Sequence, residues 1–83
     1  MMTITVKFFA TYRDLVGTNN LEMQIEDDTT VADVVNQLKQ QYPQLFEKLE
    51  TMALVAVNEK YAPHKQKLKA NDTVAFFPPV SGG

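Results

Sequence analysis

Cysteine is absent from the 83-residue chain, and with it go disulfide frameworks, CxxC redox chemistry, thiolate zinc sites and cysteine nucleophiles. Histidine occurs once, as His64, so a His-based metal cluster or a Ser/His catalytic pair has almost nothing to draw on. No apolar run approaches the ~18 residues of a membrane-spanning helix. The amino terminus, Met1-Met2-Thr3-Ile4-Thr5-Val6-Lys7, has neither a basic n-region nor a long apolar stretch. Neither export nor membrane insertion is expected. An excess of positive charge is also missing: eight Lys plus Arg face ten Asp plus Glu, for a net charge of −2. That balance gives no whole-molecule attraction to nucleic acid and suits a cytoplasmic protein.

What is present is the mixture of one compact domain, 45% hydrophobic and 22% charged. A chain of this mass buries roughly 63% of its unfolded surface, enough for one modest core but a poor basis for a deep catalytic cleft. Ile4, Val6 and Phe8 alternate with Thr5, Lys7 and Phe9, the period of a strand with one buried face. Leu21, Met23 and Ile25 repeat the alternation after Gly17-Thr18-Asn19-Asn20, a sequence that tolerates a left-handed turn. The two strands are expected to form a hairpin with a long loop. That loop has a brief helical flavour, and Tyr12 is placed in it.

Thr30 with Asp33 three residues on resembles a capping box, predicting a helix from Val31. Val31, Val34, Val35, Leu38 and Tyr42 form its apolar stripe, and Pro43 disfavours continuation. Leu45, Phe46 and Leu49 anchor the next loop, and Ala53 to Val57 is a short apolar run suited to a well-covered strand. Asn58-Glu59 and Asn71-Asp72 mark turns around a short return at Lys60-Tyr61-Ala62, and Thr73 to Phe77 is the last strand. Hairpin, helix and strands in this order predict an α+β architecture, a mixed sheet covered on one face by a helix, which the β-grasp (ubiquitin-like) fold fits. Residues 1–77 are expected to form the single domain, and 78–83 an extended tail.

Glycine is scarce, yet two of the three stand together as Gly82-Gly83, an arrangement with a chance of about one in a thousand for random placement. Without Cβ atoms, two such residues thread a narrow channel and adopt dihedrals closed to others. The α-carboxylate of Gly83 then becomes the reactive group. Adenylation by ATP converts one of its oxygens to a leaving group, and a partner's sulfur attacks the acyl carbon. Such a carrier needs no catalytic side chains, and the lack of Cys removes internal thiols that would capture the activated acyl group. Pro78-Pro79 hold the tail extended and direct it away from the domain.

Phe8-Phe9-Ala10, Arg13-Asp14-Leu15-Val16-Gly17, Ala56-Val57-Asn58 and Val74-Ala-Phe-Phe-Pro-Pro-Val-Ser-Gly-Gly83 together resemble the MoaD-like family, the small sulfur-carrying subunits of molybdopterin synthase. The resemblance spans essentially the whole chain and is weakest over 45–52 and 62–69. It implies that an E1-like enzyme adenylates Gly83 with ATP, that a sulfurtransferase persulfide supplies the sulfur, and that Gly83 becomes a thiocarboxylate. It further implies that the tail enters the large synthase subunit, within a heterotetramer, and donates sulfur to cyclic pyranopterin monophosphate. No permanently bound cofactor, metal, nucleic acid or membrane is implied. Other sulfur acceptors, the thiazole of thiamine or a tRNA base, remain alternatives, as do conjugation to lysines as a ubiquitin-like modifier and a plain binding module with an irrelevant tail.

Strand alternation also predicts a docking face. If Phe8 and Phe76 point to the helix, Phe9 and Phe77 point away and lie side by side, with Tyr61 a third member and Arg13 a charge at the rim. Pro78, Pro79, Val80 and Ser81 join them as partner-binding residues, and Gly82 joins Gly83 at the reactive end. The competing reading is that the loop from 44 to 52 covers these rings. Glu26-Asp27-Asp28 is read as acids favouring a helix amino terminus. Four lysines against Asp72 make residues 60–83 net +3, while four basic against nine acidic residues make 1–59 net −5. That asymmetry either steers an acidic partner or is a solvated loop.

Overall fold

The computed structural model describes residues 1–9, 11–43 and 54–77. Its strands are β1 (Met2–Phe8), β2 (Asn20–Ile25), β3 (Leu54–Val57), β4 (Lys60–Tyr61) and β5 (Thr73–Phe77), with helices α1 (Thr11–Val16) and α2 (Val31–Gln41). They build one mixed sheet in the order β2-β1-β5-β3-β4. The hairpin pairs Met2 with Ile25 through to Lys7 with Asn20, and Gly17 takes the positive φ of 90° that its turn needs. The central pair is parallel, Phe8 beside Phe76, and joins strands at opposite ends of the chain. Around it the pairings are antiparallel, β3 on β5 and β4 on β3.

Alternation fixes the faces. Ile4, Val6, Phe8, Val74 and Phe76 are almost wholly buried, as are Val31, Val34 and Leu38 on the covering helix. Phe8 and Phe76 stack at 6.1 Å between ring centroids at the centre of this core. Each such side chain contributes about 1.5–3 kcal/mol through burial, so the layer between α2 and the sheet carries most of the stability. Leu68, on a Lys-rich segment that gave no sign of a core role, is also buried there.

Helix α2 starts where the capping box predicts: the Asp33 N–H donates to Thr30 Oγ1 at 3.2 Å and the Thr30 N–H to Asp33 Oδ2 at 2.9 Å. Two further amino-terminal donors are satisfied from the segment before β5, Val31 N–H by the Gln66 carbonyl at 3.0 Å and Ala32 N–H by that of His64 at 2.8 Å. Hydrogen bonding at this end therefore leaves Glu26-Asp27-Asp28 only the charge–dipole role expected of them. Among the described residues no carboxylate of that trio accepts from the helix, because carbonyls of 64–66 and Asp33 already do. Asp28 instead adopts a positive φ of 64° and faces Lys67 Nζ at 3.5 Å. At the other end Tyr42 caps the helix, its N–H donating to Leu38 O at 2.7 Å.

Tyr12 is not the loop residue that the sequence led us to expect. The Tyr12 N–H donates to Phe9 O and the Gly17 N–H to Arg13 O, closing α1 and turning the ring into the core, where 4% of it is exposed. Its hydroxyl is buried with no hydrogen-bond partner among the described residues. Burial pushes the phenol above its ordinary value of 10.0. Tyr12→Phe therefore raises stability by about 1 kcal/mol, since it removes an unsatisfied polar atom and keeps the ring. The sign of the pH effect follows from the raised folded-state value. Stability tied to the neutral phenol is complete below about pH 10 and is lost as pH rises beyond it, so the advantage of the Phe variant widens in alkali. Urea midpoints at pH 7 and above pH 10 check both statements. Among the described residues no helix is long and apolar enough to cross a membrane.

Candidate functional site

The sheet face opposite α2 carries the second set of alternating residues. Lys7 pairs with Ala75, Ala75 with Ala56, and Ala56 with Tyr61, so these four lie in one row across the sheet. The next row runs from Phe9, which follows β1, to Phe77 and its partner Leu54. Phe9 and Phe77 stack with centroids 4.7 Å apart and planes 10° from parallel, the side-by-side placement that alternation predicts. Phe9 is 41% exposed, Leu54 42% and Tyr61 78%. Ala56 and Ala75 are small, so the sheet is low between the rings and Lys7, leaving a shallow depression of about 400 Å³.

An offset ring pair with adjoining Leu and Tyr on a sheet face is an apolar patch of the kind that marks protein interaction sites. Leu54 escaped the sequence reading because a continuous apolar run does not say which of its members face outward. Its signal was present: alternation within 54–57 puts Leu54 and Ala56 opposite Val55 and Val57. Arg13 is exposed on α1, with Nε 3.8 Å from Asp14 Oδ1. It lines a different depression, with Gly17, Thr18 and Asn19. Pro78, Pro79, Val80, Ser81, Gly82 and Gly83 lie outside the described residues, as do Leu45, Phe46, Leu49 and the covering loop considered for 44–52. What is described is the residue from which the tail departs: Phe77, at the end of β5 and inside the aromatic row.

The turns that hold β5 are cross-linked at its other end. Asn58 and Glu59 both take positive φ, 51° and 72°, as a two-residue hairpin turn of the mirror-image type requires. From that turn Asn58 Nδ2 donates to Asp72 Oδ1 at 2.8 Å, and Asn58 Oδ1 accepts from the Thr73 N–H at 3.0 Å. The second Asp72 oxygen accepts from the Lys69 N–H at 2.8 Å. This bracket fixes where β5 begins and so where Phe77, the last of its five residues, ends it.

A mixed five-stranded sheet with one long helix across one face, and an apolar patch where the last strand ends, defines a small ubiquitin-like β-grasp protein. The chain belongs to the ThiS family, whose model matches residues 6–83. It is 39% identical to the molybdopterin synthase sulfur carrier subunit of Haemophilus influenzae, over 96% of this chain and 99% of that protein. It is 35% identical to small archaeal modifier protein 3 of Haloferax volcanii, over 99% of this chain and 100% of the relative. Among solved structures, small archaeal modifier protein 1 of H. volcanii superposes with a TM-score of 0.86 at 25% identity, covering 96% of this chain and all of that one.

Proposed function

We propose that this chain is the sulfur-carrier small subunit of a molybdopterin synthase, acting in the cytoplasm through the carboxyl group of Gly83. The observation that carries this reading is the 39% identity to a molybdopterin synthase sulfur carrier subunit over 96% of this chain, and the family match over residues 6–83 supports it. The chemistry is that of a carrier. A Gly83 carboxylate oxygen attacks the α-phosphorus of ATP on an E1-like enzyme and pyrophosphate leaves. The terminal sulfur of a sulfurtransferase persulfide attacks the acyl carbon of the adenylate and AMP leaves. Reductive cleavage of the resulting acyl disulfide by a thiol yields the thiocarboxylate. The open face, with Phe9, Phe77, Leu54 and Tyr61, seats the large synthase subunit while the tail from Pro78 to Gly83 enters it and sulfur passes to cyclic pyranopterin monophosphate.

Mass spectrometry of the chain, expressed with and without the activating enzyme and a sulfur source, tests this. Exchange of oxygen for sulfur is nearly isobaric with oxidation of one of the four Met residues. The tryptic peptide from Ala70 to Gly83 contains no Met, and alkylation marks a thiocarboxylate within it. Expected is a gain of sulfur in that peptide only when the activating enzyme is present. A plain carboxylate, under conditions that modify a known carrier, removes the proposal. The likeness to a small archaeal modifier supports one second reading, ligation of the same carboxylate to protein lysines. Isopeptide-linked adducts accumulating in cells are its signature.

A further inference from the structure

Beyond the aromatic row the sheet turns at its short edge strand β4 into a second depression, of about 480 Å³, whose charged lining is Lys60, Lys67, Lys69 and Asp72. The molecule as a whole is net −2, so a concave surface with three ammonium groups and one carboxylate is a local reversal of sign. The Asp72 carboxylate is engaged by Asn58 Nδ2 and the Lys69 backbone N–H, both neutral donors. Lys67 faces Asp28 at 3.5 Å with both side chains at least 70% exposed, a pair that solvent screens. Lys60 and Lys69 have no ion-pair partner among the described residues.

This depression adjoins the open face around the sheet edge, for Lys60, opposite core-facing Val57, lies on the α2 side of β4 and Tyr61 on the outer side. Tyr61 lines it and also stands opposite Ala56 in the outer row, and Asn58 lines both depressions. An apolar patch bordered by a charged rim is the anatomy of a protein interface, whereas a nucleic-acid groove calls for charge along its length and a basic domain. We infer that Lys60, Lys67 and Lys69 form an electrostatic guide for an acidic segment on the rim of the large synthase subunit, engaged while that subunit's apolar part settles on Phe9 and Phe77. The inference rests on the docking reading given above and adds the sign of the partner's rim and the stage at which it acts. Rim charges act on encounter: they raise the association rate, lose that effect in salt, and leave dissociation nearly unchanged.

The test is stopped-flow association with the purified large subunit from the same organism, at low and at raised salt. Lys60→Glu and Lys69→Glu are compared with Lys65→Glu, which changes net charge equally on the same segment but does not line the depression. At low salt each of the first two is expected to slow association about three-fold and the double variant about ten-fold, with a flattened salt dependence and an unchanged dissociation rate. Lys65→Glu is expected to stay within two-fold of the unaltered chain. Equal slowing by all three lysine variants, which reports net charge alone, overturns the inference, as does no slowing by any. Slowing with the activating enzyme alone also overturns it. So does saturable binding of a labelled single-stranded oligonucleotide that the same variants abolish while large-subunit association is unchanged. Phe77→Ala separates the two levels. If it accelerates dissociation while the lysine reversals do nothing, only the guide is lost; if neither has any effect, the docking reading itself falls.

Discussion

Deletion of Gly83 is expected to abolish sulfur transfer and leave the unfolding midpoint unchanged. The deletion does not remove a terminal carboxylate; it moves it to Gly82. A residue of extended chain spans about 3.3–3.6 Å, so the new carboxylate stops short of the reacting position by that distance. A misplacement of only about 1 Å costs on the order of a hundred-fold in a positioned reaction. Shortening the tail by a full residue therefore takes adenylation and sulfur donation below detection, with nothing nearby to compensate. Stability behaves differently. The core draws on residues from Ile4 to Phe76, and chain-terminal residues in general carry little of a domain's stability. Alkylation of the carboxyl-terminal tryptic peptide and a urea titration of the same variant read the two quantities independently. Retained transfer would remove Gly83 as the reactive residue, and a lowered midpoint would show that the tail is part of the fold.

Local chemistry in the sequence was sufficient for the elements whose signals are periodic or stereochemical. Thr30 and Asp33 announced the start of α2, and Tyr42-Pro43 its end, because capping and the missing proline N–H act within a few residues. Asn58-Glu59 and Asn71 marked turns that do take positive φ. Long-range pairing was not written locally. The parallel partnership of β1 with β5, which sets Phe9 beside Phe77, follows from alternation only once the two strands are known to be neighbours. Tyr12 was misread because α1 is six residues long, too short for a periodic stripe, and its inward turn depends on hydrogen bonds to Phe9 and from Gly17. Leu68 was missed for a related reason: one apolar residue among lysines has no period, and only the Leu68 N–H to Thr29 carbonyl bond at 2.8 Å reveals that its segment lies along the entrance to α2. The Gln66 and His64 carbonyls that accept from Val31 and Ala32 come from a segment distant in sequence, a partnership that sequence alone does not record.

Phe77→Ala is expected to separate docking from folding. Phe77 lies on the outer face, half-buried, with Phe9 stacked on it at 4.7 Å and Leu54 opposite. Removing the ring loses that stack, worth about 0.5–1.5 kcal/mol, together with part of its burial, and leaves the layer beneath α2 intact. Phe76→Ala provides the contrast: its ring is wholly buried beside Phe8, and its loss costs about 3–5 kcal/mol, a large share of the stability of a chain this size. In the complex the order reverses. An aromatic ring at the centre of an apolar patch, at the residue from which the tail departs, is the kind of residue that dominates binding energy. Truncating it is expected to cost at least about 2 kcal/mol, roughly thirty-fold in Kd, expressed mainly as faster dissociation. Calorimetric titration against the large subunit and a denaturant midpoint give the two readings on one preparation. A midpoint that collapses as far as that of Phe76→Ala would place the Phe77 ring in the core and contradict the face assignment. Unchanged affinity with an unchanged midpoint would leave the aromatic row without a docking role and shift the burden of recognition to the tail.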